Sequence, residues 1–596
     1  MSPKVRVELK SLGTWYSKEV KKIVVILALI LSLLVPTTLP ANASETKVIV
    51  EDFGERLTVA PEYSISSDGA VIAIAYHKEG MGKTLSAAIS QNGGNSWQFI
   101  NDFAKNARIF NFKVKVSEDG NDITLIWIEN RTNPSQKGAS PSASGELWFK
   151  QSLDGGNSWS ENQLISTPGI GGRGLHGTLQ NGKAFNFSQS RDGKTKLLTF
   201  YARSVASPDF LTAFQISSFD SGRTWLVASN NKYDIRQPYG DTFVSGDGSF
   251  IAYAYESYGN QATQKQLRFS SSIDGINWSD ERVIDLGNTF DPNVQFVGLK
   301  GTDFAIYYDS SNAFLISKDR GKSFQKILTP VDGWGTRVWI SEDKSRLYVS
   351  AVGEPFTNGQ SMRFAYSEDY GKNWIQVLNL IERTDYTNTL SVSRDGKIIG
   401  VLSSSWGSNK DLFLQASGDY GKSWSNPKKI NREGDYFRLT FDRQEIPMQL
   451  NEISSQFLIL ANIGASTLNS FSQQMIKVPI YKIDFDGNSN TSGSAPGGLV
   501  SLDGSEVLIP AKSNDFTKKN NTFIGWSRSK NDASEIFLPG QKISDITSDI
   551  KLFAIWKADK SKKITITCTK GKINKKVTDI NPKCPKGYVK KSFNDY

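Results

Sequence analysis

The chain has 596 residues and 66.0 kDa, with 70 Lys plus Arg, 60 Asp plus Glu, two Cys and two His. So few Cys and His exclude a disulfide-dense scaffold, a Cys-built zinc or iron-sulfur site and a His-rich metal centre, and they call for no cofactor. With 38% hydrophobic residues, 50 Gly and a mean hydropathy of -0.37, the body reads as soluble and turn-rich, neither disordered nor polytopic.

Lys4, Arg6, Lys10, Lys18, Lys21 and Lys22 precede the apolar run Ile23 to Val35, which is followed by Pro36, Pro40 and Ala41-Asn42-Ala43. Basic leader, apolar stretch and small-residue site predict a signal peptide over 1–43, cleaved after Ala43. The run is shorter than the ~20 residues of a spanning helix, and an uncleaved anchor is the alternative. Either way the body faces an oxidising, extracytoplasmic space.

One motif then recurs seven times: SQNGGNSW, SLDGGNSW, SFDSGRTW, SIDGINW, SKDRGKSF, SEDYGKNW and SGDYGKSW. Its third position is Asn92, Asp154, Asp220, Asp274, Asp319, Asp369 and Asp419. It ends in Trp97, Trp159, Trp225, Trp278, Phe324, Trp374 and Trp424. Ser and Asp can bond turn backbone, Gly supplies positive φ, and the terminal aromatic tucks onto the core, so each copy reads as a hairpin turn. These residues resemble the Asp box, or bacterial neuraminidase repeat, of sialidase-like β-propellers. The first copy departs with Asn92, the fourth is one residue short, and the fifth ends in Phe324.

Upstream of the boxes lies a second repeat, a polar turn leading into an apolar strand, at Ser66, Ser117, Ser190, Ser245, Ser341 and Ser393, with looser versions at 298–308 and 452–463. Eight units therefore stand against seven boxes. The expected fold is an all-β propeller of eight blades over 44–481, seven being the rival count. The last unit lacks an outer strand, and 47–50 is the expected donor, which would close the ring and remove the exposed edges.

From Lys482 the sequence resembles one Listeria/Bacteroides repeat, the internalin B-repeat type of β-grasp module, through FIGWS at Phe523 and IKLFAIW at Ile550. The resemblance implies a spacer or adhesive unit over 482–557, with Trp526 and Trp556 in its core. Residues 558–596 hold both cysteines, Cys568 and Cys584, the only intramolecular pair the chain can form. This segment reads as a short hairpin in a Lys-rich tail, and resembles the two-Cys tails of other secreted actinobacterial surface proteins. A solvated tail and one resting on an anionic cell-wall polymer are the two readings of it.

Sialidase resemblance implies three arginines, a Tyr and Glu pair and an Asp acid, with an Arg-Ile-Pro motif near the start; the tripeptide is absent, Arg56 and Arg108 being its nearest arginines. Ligand residues are expected on the connections from second to third strand and from outer strand to the next inner strand. The candidates there are Arg173, His176, Arg236, Tyr239, Asp241, Asp291, Trp334, Arg337 and Asp385. With only His77 as a second imidazole, no metal site is expected at His176. The expected function is a secreted, envelope-associated protein whose propeller binds a glycan or another surface protein, the alternative being an exo-acting sialidase-like glycoside hydrolase. Residues 1–43 carry six basic and two acidic groups, and 557–596 twelve Lys against three Asp, so 44–556 is left mildly acidic and nucleic acid is not an expected partner.

Overall fold

A computed structural model describes residues 46–48 and 61–591, apart from 78–83, 106–107, 131–144, 166–184, 204–210, 229–232, 236–239, 259–264, 288–293, 299–300, 332, 342, 344, 354–360, 378–379, 381–383, 406–410, 433–434, 438–445, 447, 453–454, 466–471 and 560–562. The signal-peptide segment lies outside the described residues. Among the described residues the regular structure is β-strand throughout, apart from one 3-10 turn at Asp309–Ser311.

Polar turns every few residues fold the repeats into antiparallel sheets whose strands pair in chain order. The fourth is representative: Gly240–Val244, Ile251–Tyr258, Lys265–Ser272 and Arg282–Gly287 run from inner to outer strand. Seven such sheets begin at Glu62, Arg108, Phe185, Gly240, Val294, Trp334 and Thr384, the third with an added short strand, Tyr233–Ile235. An eighth is built from Met448–Asn451, Gln456–Ala465 and the first part of Ser472–Asp486. Its fourth strand is Thr46–Val48, with Thr46 opposite Ile476.

Alternate residues of each blade face opposite neighbours, which is why the second strands are apolar on both sides. Ala73 and Ala75 pack with Phe112, Val114 and Trp127 of the second blade. Ile72, Ile74 and Tyr76, from the same strand, pack with Leu458, Leu460 and Met475 of the eighth. Each neighbouring pair of blades shares a buried apolar cluster, and the pairs include the eighth with the first. An open stack of eight would lack that last interface, so the ring is closed. Asn451 Nδ2, which donates to Gly69 O at 3.1 Å, crosses the same junction.

The boxes pin each blade to the one before it. In the second, Asp154 Oδ1 accepts from Ser152 Oγ at 2.7 Å and from Ser158 N at 2.8 Å, while Trp159 Nε1 donates to Gly156 O at 3.0 Å. The terminal aromatic then stands edge-on against a third-strand ring of the preceding blade: Trp225 on Phe149, Phe324 on Phe269, Trp424 on Phe364, with centroids 5.3, 5.4 and 5.0 Å apart. Gly421 is required twice over, by a φ of 86° and because a Cβ would lie 2.6 Å from Phe364 Cε1.

Strand Ser472–Asp486 does not end with the propeller. Its far part pairs antiparallel with Leu499–Leu502 and parallel with Ile550–Ala558, which in turn pairs with Asn521–Ser527. The boundary expected at 481/482 thus falls inside one continuous strand. Ile483, Phe516, Trp526 and Leu552 form the core of this module, with Trp556 packed at its edge. Val500 and Leu502 belong instead to the cluster between the seventh and eighth blades. The final segment is more than a hairpin: Ile564–Lys570 is flanked by Ile573–Asp579 and Val589–Lys590, and a disulfide joins Cys568 to Cys584.

Candidate functional site

In an antiparallel blade successive connections leave by opposite ends. The inner-to-second turns and the boxes share one end of the ring; the second-to-third and outer-to-inner connections share the other. On the box end the turns are self-bonded. Ser66 Oγ donates to Asp68 Oδ1 and accepts from Val71 N, and the same pairing recurs at Ser117, Ser190, Ser245, Ser341 and Ser393. Backbone bonds link these turns from blade to blade, Ser67 N to Glu118 O, Glu118 N to Arg191 O and Arg191 N to Gly246 O, at 2.9, 2.7 and 3.2 Å.

Charged side chains cross this end of the central opening. Glu118 Oε1 lies 3.3 Å from Arg191 Nε, and its Oε2 3.9 Å from a terminal nitrogen of Arg394. Arg394, on the seventh blade, also donates its backbone N–H to Glu452 Oε1 of the eighth at 2.6 Å. Four blades are thereby tied together at the box end.

Of the expected ligand residues, Arg173, His176, Arg236, Tyr239 and Asp291 lie outside the described residues. Trp334 and Asp385 sit in the inner strands Trp334–Ile340 and Thr384–Val392, where the backbone alone is described. Asp241 and Arg337 are placed in full. Asp241 accepts from Thr242 N at 2.8 Å and, across the blade boundary, from Phe296 N at 2.9 Å. Arg337 donates to Thr336 O at 3.0 Å.

Asp241 belongs to a wider pattern. Asn186 Nδ2 donates to Gly240 O and Gln295 Nε2 to Thr336 O, each from one inner strand to the next, and Asn388 Nδ2 donates back to Gly335 O on the preceding one. Thr389 Oγ1 donates to Ile446 O, two residues before the inner strand of the eighth blade. Backbone groups on inner strands have no sheet partner on their axial side, and these side chains supply one. Polar residues near the axis therefore hold blades together.

A buried titratable cluster lies between the fourth and fifth blades, at the end with the long connections. Glu256 Oε2 accepts from Tyr308 Oη at 2.9 Å and Ser310 Oγ at 2.7 Å, while its Oε1 is 3.2 Å from Lys265 Nζ. Burial, reinforced by the Glu256 charge, pushes the Tyr308 hydroxyl well above its ordinary value. The turn Asp309–Ser311 clips three blades: Asp309 accepts from Thr336 Oγ1 at 3.2 Å, and Ser311 donates to Asp285 Oδ2 at 2.7 Å, alongside the Ser310 bond. Sequence reasoning missed this cluster. The available signal was a carboxylate in IAYAYESY, where the preceding side chains alternate between two buried faces. Among the described residues no group of three or more His, Cys, Asp or Glu is set to hold a metal, and no helix is long and apolar enough to cross a membrane.

The fold and this arrangement define an all-β propeller of eight blades with a fused C-terminal module. No family model matches the chain. A putative Gly-rich membrane protein of Evansella cellulosilytica is 31% identical over 94 residues, which is 16% of this chain and 10% of that protein; the chain thus spans a small part of its relative. Similar solved structures include the GH74 xyloglucanase of Xanthomonas campestris, at 11% identity and TM-score 0.40 over 87% of this chain and 76% of that one. The GH93 alpha-L-arabinofuranosidase of Fusarium graminearum is 11% identical at TM-score 0.31, over 54% and 98% of the two chains. The polysaccharide lyase Uly1 is 10% identical at TM-score 0.35, over 72% and 90%. None of these likenesses carries an activity over to this chain.

Proposed function

We propose that the chain is an extracytoplasmic, envelope-associated protein whose propeller binds a glycan or another surface protein at the end carrying the long connections, the sequence expectation for ligand residues there being Arg173, His176, Arg236, Tyr239 and Asp291. The supporting observation is the chemical asymmetry of the ring. Box-end turns bond to themselves and to their neighbours, and Glu118, Arg191 and Arg394 cross the opening there. Strand Ser472–Asp486 runs from the long-connection end towards the box end before entering the C-terminal module, so the module departs from the box end. The disulfide fits an oxidising compartment, and the reading of 1–43 as an export leader rests on its sequence. In this reading the boxes and the module are an Asp-box repeat set and a β-grasp spacer.

A contact that bears on the hydrolase alternative is that between Tyr308 and Glu256. Both are buried, at 0% and 3% exposed, and Lys265 neutralises the carboxylate, which suits a brace and denies access to a sugar. The test is a glycan array together with a fluorogenic sialoside, using wild type, Arg236→Ala and Arg337→Ala. Binding without turnover is expected; turnover lost in either variant would establish the enzyme instead.

A further inference from the structure

We infer that the disulfide-closed sheet at 563–591 is a binding element for an extended polyanion, with its lysines held in fixed register. This goes beyond the ligand of the propeller and stands or falls separately from it. The segment contains nine Lys and one acidic residue, Asp579, and lacks Arg and Glu. Eight of those lysines are exposed. Lysine presents a compact charge on a flexible stem and favours contact with many anionic groups over forked recognition of one.

The pairing sets the pattern. Cys568 of the central strand stands opposite Lys575 on one side and Lys590 on the other, so the two lysines flank the disulfide in one row across the sheet. Two strand spacings separate them by about 10 Å. Lys570, two residues along the central strand, shares that face, which places a third charge beside the row. A spread of this kind matches a chain of repeated anionic groups; a single small anion would need the charges to converge.

A lipid surface fits less well. Ile564 and Ile573 are exposed on the face of Cys568, while Val589, opposite Thr569, is exposed on the other. Both faces also carry lysine, Lys576 being on the second, so there is no continuous apolar face to insert. The disulfide ties Cys584, in the connection before the third strand, to the central strand. Without it a small sheet with one fully buried side chain, Cys568, has little core to hold its register.

The experiment measures retention of the full chain on immobilised long-chain inorganic polyphosphate as a function of salt. Lys570→Gln/Lys575→Gln/Lys590→Gln is expected to weaken binding about fivefold per lysine, ~100-fold in all, and to flatten the salt dependence. Lys372→Gln/Lys519→Gln/Lys530→Gln removes the same charge from exposed positions elsewhere and is expected to leave binding near wild type. Cys568→Ser/Cys584→Ser is expected to weaken binding with every lysine retained. Equal loss in the two lysine triples, or unchanged binding without the disulfide, would overturn the inference by showing that net charge alone acts. Tighter binding to anionic phospholipid vesicles than to polyphosphate would overturn it in favour of a membrane.

Discussion

A Cβ on Gly418 would stand 2.8 Å from the backbone nitrogen and 2.9 Å from the Cβ of Val500. The second position of the other boxes holds Gln91, Leu153, Phe219, Ile273, Lys318 and Glu368; glycine occurs in the seventh because the C-terminal module rests on it. Lys428 Nζ donates to Asp503 O, and Asn426 Nδ2 to Glu506 Oε1 at 2.7 Å, beside the same contact. Together with the unbroken strand Ser472–Asp486, these contacts make the module a rigid continuation of the propeller.

Gly418→Leu is therefore expected to cost about 1–3 kcal/mol by overpacking and to open 499–508 to protease. Leu153→Ala, at the corresponding exposed position, is expected to change stability by less than about 0.5 kcal/mol. Denaturant unfolding and limited proteolysis measure both. Wild-type stability in Gly418→Leu would mean that the module is not seated there.

Between the second and third blades, Lys196 Nζ lies 2.9 and 2.8 Å from the two oxygens of Asp122 and 2.9 Å from Thr124 Oγ1, all buried. Burial pushes the Asp122 carboxyl up and the Lys196 ammonium down, and their mutual attraction opposes both shifts. Asp122→Leu alone strands a buried cation and is expected to cost ~3–5 kcal/mol; adding Lys196→Met should recover most of the loss. Urea titration of the single and double variants decides this, and equal stabilities would contradict it.

The box carboxylates predict a pH dependence. Hydrogen bonds from the Ser158, Asn277 and Ser323 side chains, joined by turn amides, hold Asp154, Asp274 and Asp319 at about 2. Each folded value lies below the unfolded value of about 3.9, so the stability they contribute is complete above about pH 4 and is lost as pH falls towards 2. The first box supplies the control. Asn92 Oδ1 accepts from Ser90 Oγ and Ser96 N at 3.0 and 2.9 Å, and its Nδ2 donates to Ser96 Oγ at 2.8 Å, so a neutral amide builds the same turn. Asp154→Asn/Asp274→Asn/Asp319→Asn is expected to keep the neutral-pH Tm and flatten its acid limb. An unaltered acid limb would place the sensitivity elsewhere.

The cluster around Glu256 is expected to brace the fold. Tyr308→Phe removes one donor and should cost about 1 kcal/mol. Glu256→Gln leaves Lys265 buried without its counter-charge, and about 3–5 kcal/mol is expected. Neither should alter ligand capture once the protein is folded. Loss of capture at unchanged Tm would identify the cluster as a site.

The repeat was legible because its residues act locally. Ser152, Asp154, Gly156 and Trp159 complete their turn within eight residues, so their spacing alone announces it, while the blade count of eight came from the polar turns and strands upstream of the seven boxes. The donor of the last strand could also be read, since an incomplete eighth unit leaves an edge that Thr46–Val48 fills. What Asp241 and Glu256 do was not legible. Asp241 receives a backbone N–H from Phe296, and Glu256 receives a hydroxyl from Tyr308, more than fifty positions away in each case. In a polar side chain seen in sequence, bracing and binding look alike; the partner distinguishes them, and the closing of the ring brings the partner. The same holds for charge: composition gave an excess of lysine at the C-terminus, and only the pairing of Cys568 with Lys575 and Lys590 turns that excess into a patterned surface.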